Sequence, residues 1–264
     1  NNFSVSLSET TDGGMTISSS FKLMDENGSA GDLDAGFTLA FTDGSKLDVI
    51  NAGNASGSHA ISVPSSAGAE GIAQTSLNHA QTGLDFMATS SVLGVEYHTA
   101  SDFLADGLKM SFSASTDNGA AAGATYRVDS HYAIGATYVT DLGDSAVTVG
   151  FGYSAGEGSI AGTGPSSDEN GIHVGVSAVT GDLTVAVGFA DGDTTSGDRN
   201  TNEVAGEVVK AGVKYVTGDL TFNVGAVSGE AHDNSFGGTD RAGEDSVEKV
   251  SASVSYAVAS GVTA

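Results

Sequence analysis

Two kinds of connection alternate along this chain, and that alternation limits its fold more than any single motif. Between the connections, side chains follow a period of two. Val209, Ala211, Val213 and Tyr215 point one way, and Lys210, Gly212 and Lys214 the other. The same pattern recurs in Phe3/Val5/Leu7, Phe37/Leu39/Phe41, Leu108/Met110/Phe112, Val147/Val149/Phe151/Tyr153 and Leu183/Val185/Val187/Phe189. Helical periodicity is nearly missing. The short connections carry turn chemistry: Asp12-Gly13-Gly14, Asp43-Gly44, Leu142-Gly143-Asp144, Gly181-Asp182 and Gly218-Asp219. One of them repeats almost verbatim, as VTGDLT at 179–184 and again at 216–221. The long connections, near 24–33, 51–90, 155–170, 191–207 and 229–247, are polar and mostly acidic. A soluble sandwich has little reason to send every second connection long. A transmembrane antiparallel β-barrel does so, with short turns at one rim and long loops at the other.

Parity places strands near 2–10, 14–23, 34–42, 45–51, 91–100, 107–116, 121–139, 145–154, 171–180, 183–190, 208–217, 220–228 and 248–257, with a fourteenth beginning at Val262. The stretch 121–139 reads as one long strand because Ala122, Ala124, Tyr126, Val128, Tyr132, Ile134, Ala136 and Tyr138 share even positions. Bacterial barrels have an even strand number, so about 16 strands are expected when complete, the first and last falling outside this sequence. The start at Asn1-Asn2-Phe3 runs directly into a strand pattern, as a mature, trimmed or incomplete chain would.

Composition removes several functions. Lys and Arg total 9 against 33 Asp and Glu, a formal charge of −24, which disfavours nucleic acid as a partner. Without cysteine there is neither a disulfide framework nor a thiolate metal site. No run approaches the roughly 20 apolar residues of a membrane-spanning helix. No Ser/His/acid arrangement suggests a catalytic triad, so no catalytic residue is expected and the chain does not read as an enzyme. His59, His79, His98, His131, His173 and His232 show no close ligand spacing and are expected as pore or loop residues, with no metal site among them. DGDTTSGD at 191–198 resembles part of a calcium loop, but Asn202 stands where a bidentate Glu would be needed. No cofactor is expected beyond weak Ca²⁺ at acidic outer loops such as this one, Asp168-Glu169 and Glu244-Asp245.

The basic residues are few but consistently placed. Lys22, Lys46, Lys109, Arg127, Lys210, Lys214 and Lys249 all have the parity opposite the apolar row, which in a barrel makes them pore-lining. Tyr138, Tyr215 and Tyr256 lie on the apolar row just before short turns, where an interfacial aromatic girdle belongs.

The opening FSVSLSETTDGGMTISSSFKL and the following DLDAGFTLAFTDGSKLDVINAG resemble the second to fifth strands of alphaproteobacterial general-diffusion porins, and the YVTGDLT hairpins resemble that family's later strands. The motif covers about the first fifty residues. The resemblance implies a sixteen-stranded, usually trimeric channel in the outer membrane of a Gram-negative cell. Its partners would be outer-membrane lipid and lipopolysaccharide, and it would pass ions and small polar solutes. It also implies one barrel domain over 1–264, with 51–90 folded inward as the pore-constricting third loop. Glu70 and Asp85, the acids of that segment, are then expected at the constriction, facing Lys22, Lys46, Lys109 or Arg127 across a transverse field. The family's arginine cluster opposite that loop is not evident in this sequence. The competing reading is a secreted or surface β-protein serving adhesion or assembly, which would need a filled apolar interior.

Overall fold

The computed structural model describes residues 3–24, 36–49, 54–66, 68–71, 93–117, 126–160, 167–196, 202–236, 239–259 and 262–263. The strands are β1 (Phe3–Thr10), β2 (Thr16–Met24), β3 (Phe37–Ala40), β4 (Lys46–Val49), β5 (Ser62–Ser65), β6 (Gly68–Gly71), β7 (Leu93–His98), β8 (Leu108–Asp117) and β9 (Tyr126–Leu142). They continue with β10 (Ser145–Ile160), β11 (Ser167–Thr180), β12 (Leu183–Ser196), β13 (Asn202–Thr217), β14 (Leu220–Phe236), β15 (Thr239–Ala259) and β16 (Val262–Thr263). A single 3₁₀ turn, η1 (Gly57–His59), precedes β5. Fourteen strands form one sheet in the order β1-β2-β3-β4-β7 and onward to β16, each antiparallel to its neighbour in sequence. β5 and β6 pair only with each other. Among the described residues no helix is long and apolar enough to cross a membrane.

Every strand expected from parity is present in the main sheet. The stretch read as one strand is also one strand over its described part, β9, which pairs with β10 from Leu142 back to Tyr126. The polar connections at 155–170, 191–207 and 229–247 are shorter than expected. β10 and β11 stay paired out to Gly158↔Ser167, β12 and β13 to Ser196↔Asn202, and β14 and β15 to Phe236↔Thr239. Backbone pairing satisfies every amide whatever the side chains are, so the ladder continues where the apolar alternation stops.

The repeated turn follows from glycine geometry. Gly143, Gly181 and Gly218 have φ of 64°, 55° and 56°, and each opens a two-residue loop completed by an aspartate. Thr180 pairs with Leu183 and Thr217 with Leu220. A positive φ at the first loop position is what a type II′ hairpin turn needs, and glycine supplies it without steric cost. Replacing Gly181 by alanine is expected to cost about 1 kcal/mol or more. A lowered urea midpoint for the folded chain in detergent would show it.

The two faces of the sheet are inverted relative to a soluble protein. Val185, Val187, Val213, Val224 and Val254 are exposed, while His173, Ser111, Ser154 and Asn223 on the other face are buried. Buried apolar side chains among the described residues are few and small, chiefly alanines with Ile61, Val63 and Val208. This is the reverse of the filled apolar interior that the adhesive alternative requires. It is the arrangement of a barrel whose outer surface faces lipid. Tyr138, Tyr215 and Tyr256 are exposed on that surface near the short turns, with Tyr215 opposite Leu183 and Phe222, and Tyr256 opposite Leu220. An arginine in place of Val187, four residues from the turn, is expected to destabilise insertion by about 2–4 kcal/mol. The test is equilibrium folding of the variant into lipid vesicles.

Candidate functional site

The segment 54–66 leaves the sheet after β4 and lies across its polar face. The Ala55 N–H donates to Ser113 Oγ on β8 at 3.1 Å. Ser58 Oγ reaches Glu96 Oε1 on β7 at 3.0 Å. His59 contacts Thr137 Oγ1 on β9 through Nδ1 (2.6 Å) and Ser111 Oγ on β8 through Nε2 (2.8 Å). His173 Nε2 on β11 lies 2.9 Å from the Ser56 carbonyl. Further on, β5 packs against β12, β13, β14 and β15, and Ser66 N donates to Ser251 Oγ at 3.3 Å.

These contacts require a concave sheet. Five residues, 55–59, touch strands β7 through β11, which would span about 19 Å if flat. A short turn rising about 2 Å per residue reaches all five only if the strands curve around it. The segment therefore sits inside the curve.

Glycine makes the seat. A Cβ on Gly135 would stand 2.3 Å from the Ala55 carbonyl oxygen, one on Gly150 2.3 Å from that of His59, and one on Gly212 2.1 Å from that of Pro64. At Gly152 it would meet Ser56 Oγ at 2.3 Å and His173 Nε2 at 2.1 Å. Between these contacts Ile61 and Val63 pack on Ala186, and Ala60 on Ala190 and Val208. The segment is held by backbone approach to bare wall as much as by its side chains.

At the η1 end is a polar cavity of about 470 Å³, lined in part by Lys46, His59, His98, Lys109 and Thr137. Burial pushes the His59 imidazole down to about 4, with the positive charge of Lys109 adding to the effect and Glu96 opposing it. His59 is thus held neutral between two hydroxyls. On the adjoining wall, Lys46 Nζ is 2.9 Å from Asp48 Oδ2, and His98 Nε2 is 3.2 Å from that oxygen and 3.4 Å from Glu96 Oε1.

The lysines expected to line the pore take different environments. Lys46 and Lys109 share the cavity. Lys214 and Lys249 are exposed, as the opposite parity from the apolar row allows. Lys210 is on the same face but only 3 % exposed, because its row neighbours Val208 and Gly212 are covered by Ala60 and Pro64. The side chains of Lys22 and Arg127 lie outside the described residues.

Of the two acids expected at the constriction, Asp85 lies outside the described residues. Glu70 has its backbone in β6 opposite Val63, and its side chain is outside them. Its partner strand β5 packs toward β12–β15, whereas Lys46 and Lys109 belong to β4 and β8. The pattern reading missed the polar cluster around Ser111. Nothing in the spacing of His59, His98 and Asp48 suggests proximity. A usable signal did exist in Lys46-x-Asp48 and Glu96-x-His98, each a pair on one face of a strand. The register that sets Lys46 against His98 and Asp48 against Glu96 is a property of the sheet.

Comparison with known proteins agrees with this architecture. Residues 1–264 match the family model described as Gram-negative porin. Among solved structures, a porin refined at 1.8 Å is similar at 19% identity, covering 97% of this chain and 81% of that one, with a TM-score of 0.58. The anion-selective porin from Comamonas acidovorans is similar at 12% identity, over 98% of this chain and 75% of that one, with a TM-score of 0.59. A loop-deletion mutant of OmpT, an outer membrane protein of Vibrio cholerae, is similar at 14% identity over 97% and 80%, also at 0.59. No curated protein sequence matches. The chain belongs to the Gram-negative porin family, and its sheet is the wall of an outer-membrane channel.

Proposed function

We propose that the channel serves general, passive diffusion of ions and small hydrophilic solutes, without catalysis, and that the segment beginning at 51 narrows it. The observation carrying this reading is the run of residues 54–66 seated on the polar face from β7 to β15. The resemblance of the first fifty residues to alphaproteobacterial porins supports a source of that kind and a homotrimer embedded in lipid and lipopolysaccharide. With 33 acidic residues against 9 basic ones, a mild cation preference follows.

Single-channel recording of the detergent-extracted protein in a planar bilayer tests all of this. Stepwise openings grouped in threes, with a modest excess of cation permeability at low salt, are expected. Strong anion selectivity would refute the electrostatic part. Silence from a folded, reconstituted sample would refute open diffusion.

A further inference from the structure

We propose that Asp48, Glu96 and His98 form a binding site for a divalent transition-metal ion of the Zn²⁺ type on the inner wall of the channel. The three side chains come from two paired strands. Asp48 on β4 is directly opposite Glu96 on β7, and His98 follows Glu96 by two residues on the same face. One ligand atom from each lies within 4.8 Å of the other two. The spacing is that of a coordination shell: around a tetrahedral ion with bonds of about 2.0–2.1 Å, ligand atoms are about 3.3 Å apart. His98 Nε2 stands 3.2 Å from Asp48 Oδ2 and 3.4 Å from Glu96 Oε1.

His98 itself points to a bound ion. Its side chain is 91 % buried, taken from an exposure of 9%. Its Nε2 is aimed between the two carboxylates yet makes no hydrogen bond to either. A buried ring nitrogen without a hydrogen-bond partner is costly unless something else satisfies it, and a cation between the three atoms would do so.

The surrounding contacts are those that orient metal ligands. His98 Nδ1 is 2.7 Å from Ser111 Oγ, which fixes the ring. Thr38 Oγ1 donates to Asp48 Oδ1, leaving Oδ2 turned toward His98. Ser58 Oγ donates to Glu96 Oε1. Each ligand thus has an outer partner, and one of those partners belongs to the inward-folded segment. An imidazole nitrogen with two carboxylate oxygens selects Zn²⁺ and its transition-metal neighbours over Ca²⁺ or Mg²⁺, which prefer all-oxygen shells. His98 also lines the 470 Å³ cavity, which gives the ion an approach.

Lys46 is the built-in competitor. Its ammonium is 2.9 Å from Asp48 Oδ2, but the side chain is 42% exposed and can swing into the cavity. Binding the ion means displacing it.

The test is calorimetric titration of Zn²⁺ into the full chain folded in detergent, with excess Ca²⁺ to occupy the acidic outer loops, and Co²⁺ absorption as a spectroscopic check. One saturable ion per chain is expected. His98→Gln should weaken binding by more than the roughly 10–100-fold that loss of an outer partner costs, and should abolish the tetrahedral Co²⁺ bands. Lys46→Met should tighten it by roughly ten-fold through loss of the competing charge. Absence of saturable Zn²⁺ binding, or binding that His98→Gln leaves unchanged, overturns the proposal. Should His98→Gln fail to fold, Lys46→Met decides alone: tighter binding supports the site, and unchanged affinity overturns it.

Discussion

Gly150→Val and Gly212→Val will each enlarge the conductance of the channel. Both glycines lie under the segment 54–66, and a side chain at either would meet a backbone carbonyl: His59 O at 2.3 Å from Gly150, Pro64 O at 2.1 Å from Gly212. A carbonyl cannot rotate aside as a flexible side chain can, so the segment must lift. Overpacking of this kind costs about 1–3 kcal/mol. Every 1.4 kcal/mol or so shifts the ratio of seated to lifted segment about ten-fold. Single-channel conductance should rise, and proteolysis within 54–66 should quicken, while the outer hairpins stay intact. Gly57→Ala is the control, since a Cβ there meets nothing within 4 Å. Unchanged conductance and unchanged cleavage in both valine variants would mean that the segment is not the element that narrows the pore.

Acidification will unseat the same segment, through His59. The seated imidazole titrates near 4, below its ordinary value of 6.5, because burial and the neighbouring charge of Lys109 disfavour its cation. When lifted into water it titrates near 6.5. Between these values the lifted state binds more protons, so seating weakens as pH falls. The stabilisation from neutral His59 is complete above about pH 6.5, declines through the interval, and changes no further below about pH 4. Conductance fluctuations should therefore increase from pH 6.5 toward pH 4. His59→Gln, which retains hydrogen bonding to Thr137 and Ser111 without titrating, should flatten that dependence. A variant with the wild-type pH profile would assign the effect to another group.

Most of the sheet was legible in the sequence because lipid imposes a rule that strands report. Where one face meets hydrocarbon, side chains alternate, as in Leu183/Val185/Val187/Phe189, and parity gives each strand and its facing. Beyond the lipid, as in Glu203–Glu207 or Glu230–Asp233, no solvent forces alternation, and strands there read as loops although backbone pairing continues. Lys210 shows a second limit. Parity assigned its face, but its burial depends on Ala60 and Pro64, about 150 residues away in sequence. The cluster of Asp48, Glu96, His98, Ser111 and His59 shows a third. It draws on β4, β7, β8 and the inward segment, and only the register brings those four together. The glycines of the seat were visible as composition, yet Gly135, Gly150, Gly152 and Gly212 acquire their meaning only with Ala55, Ser56, His59 and Pro64 lying on them.

The strand order also dictates a sequence of assembly. Each wall strand pairs with its immediate successor across a short connection or a hairpin, except where β4 meets β7 across the inward segment. Wall pairing can therefore proceed by local zippering at modest loop-closure entropy. The seat of residues 54–66 is different. Ser66 reaches Ser251, 185 residues later in the chain. That contact has no partner until β15 has joined, so although the η1 end can meet β7–β11 earlier, the β5 end takes its final position only after the last strands are in place. Errors in the last strands would thus be felt first as a channel that is complete in outline and wrongly narrowed.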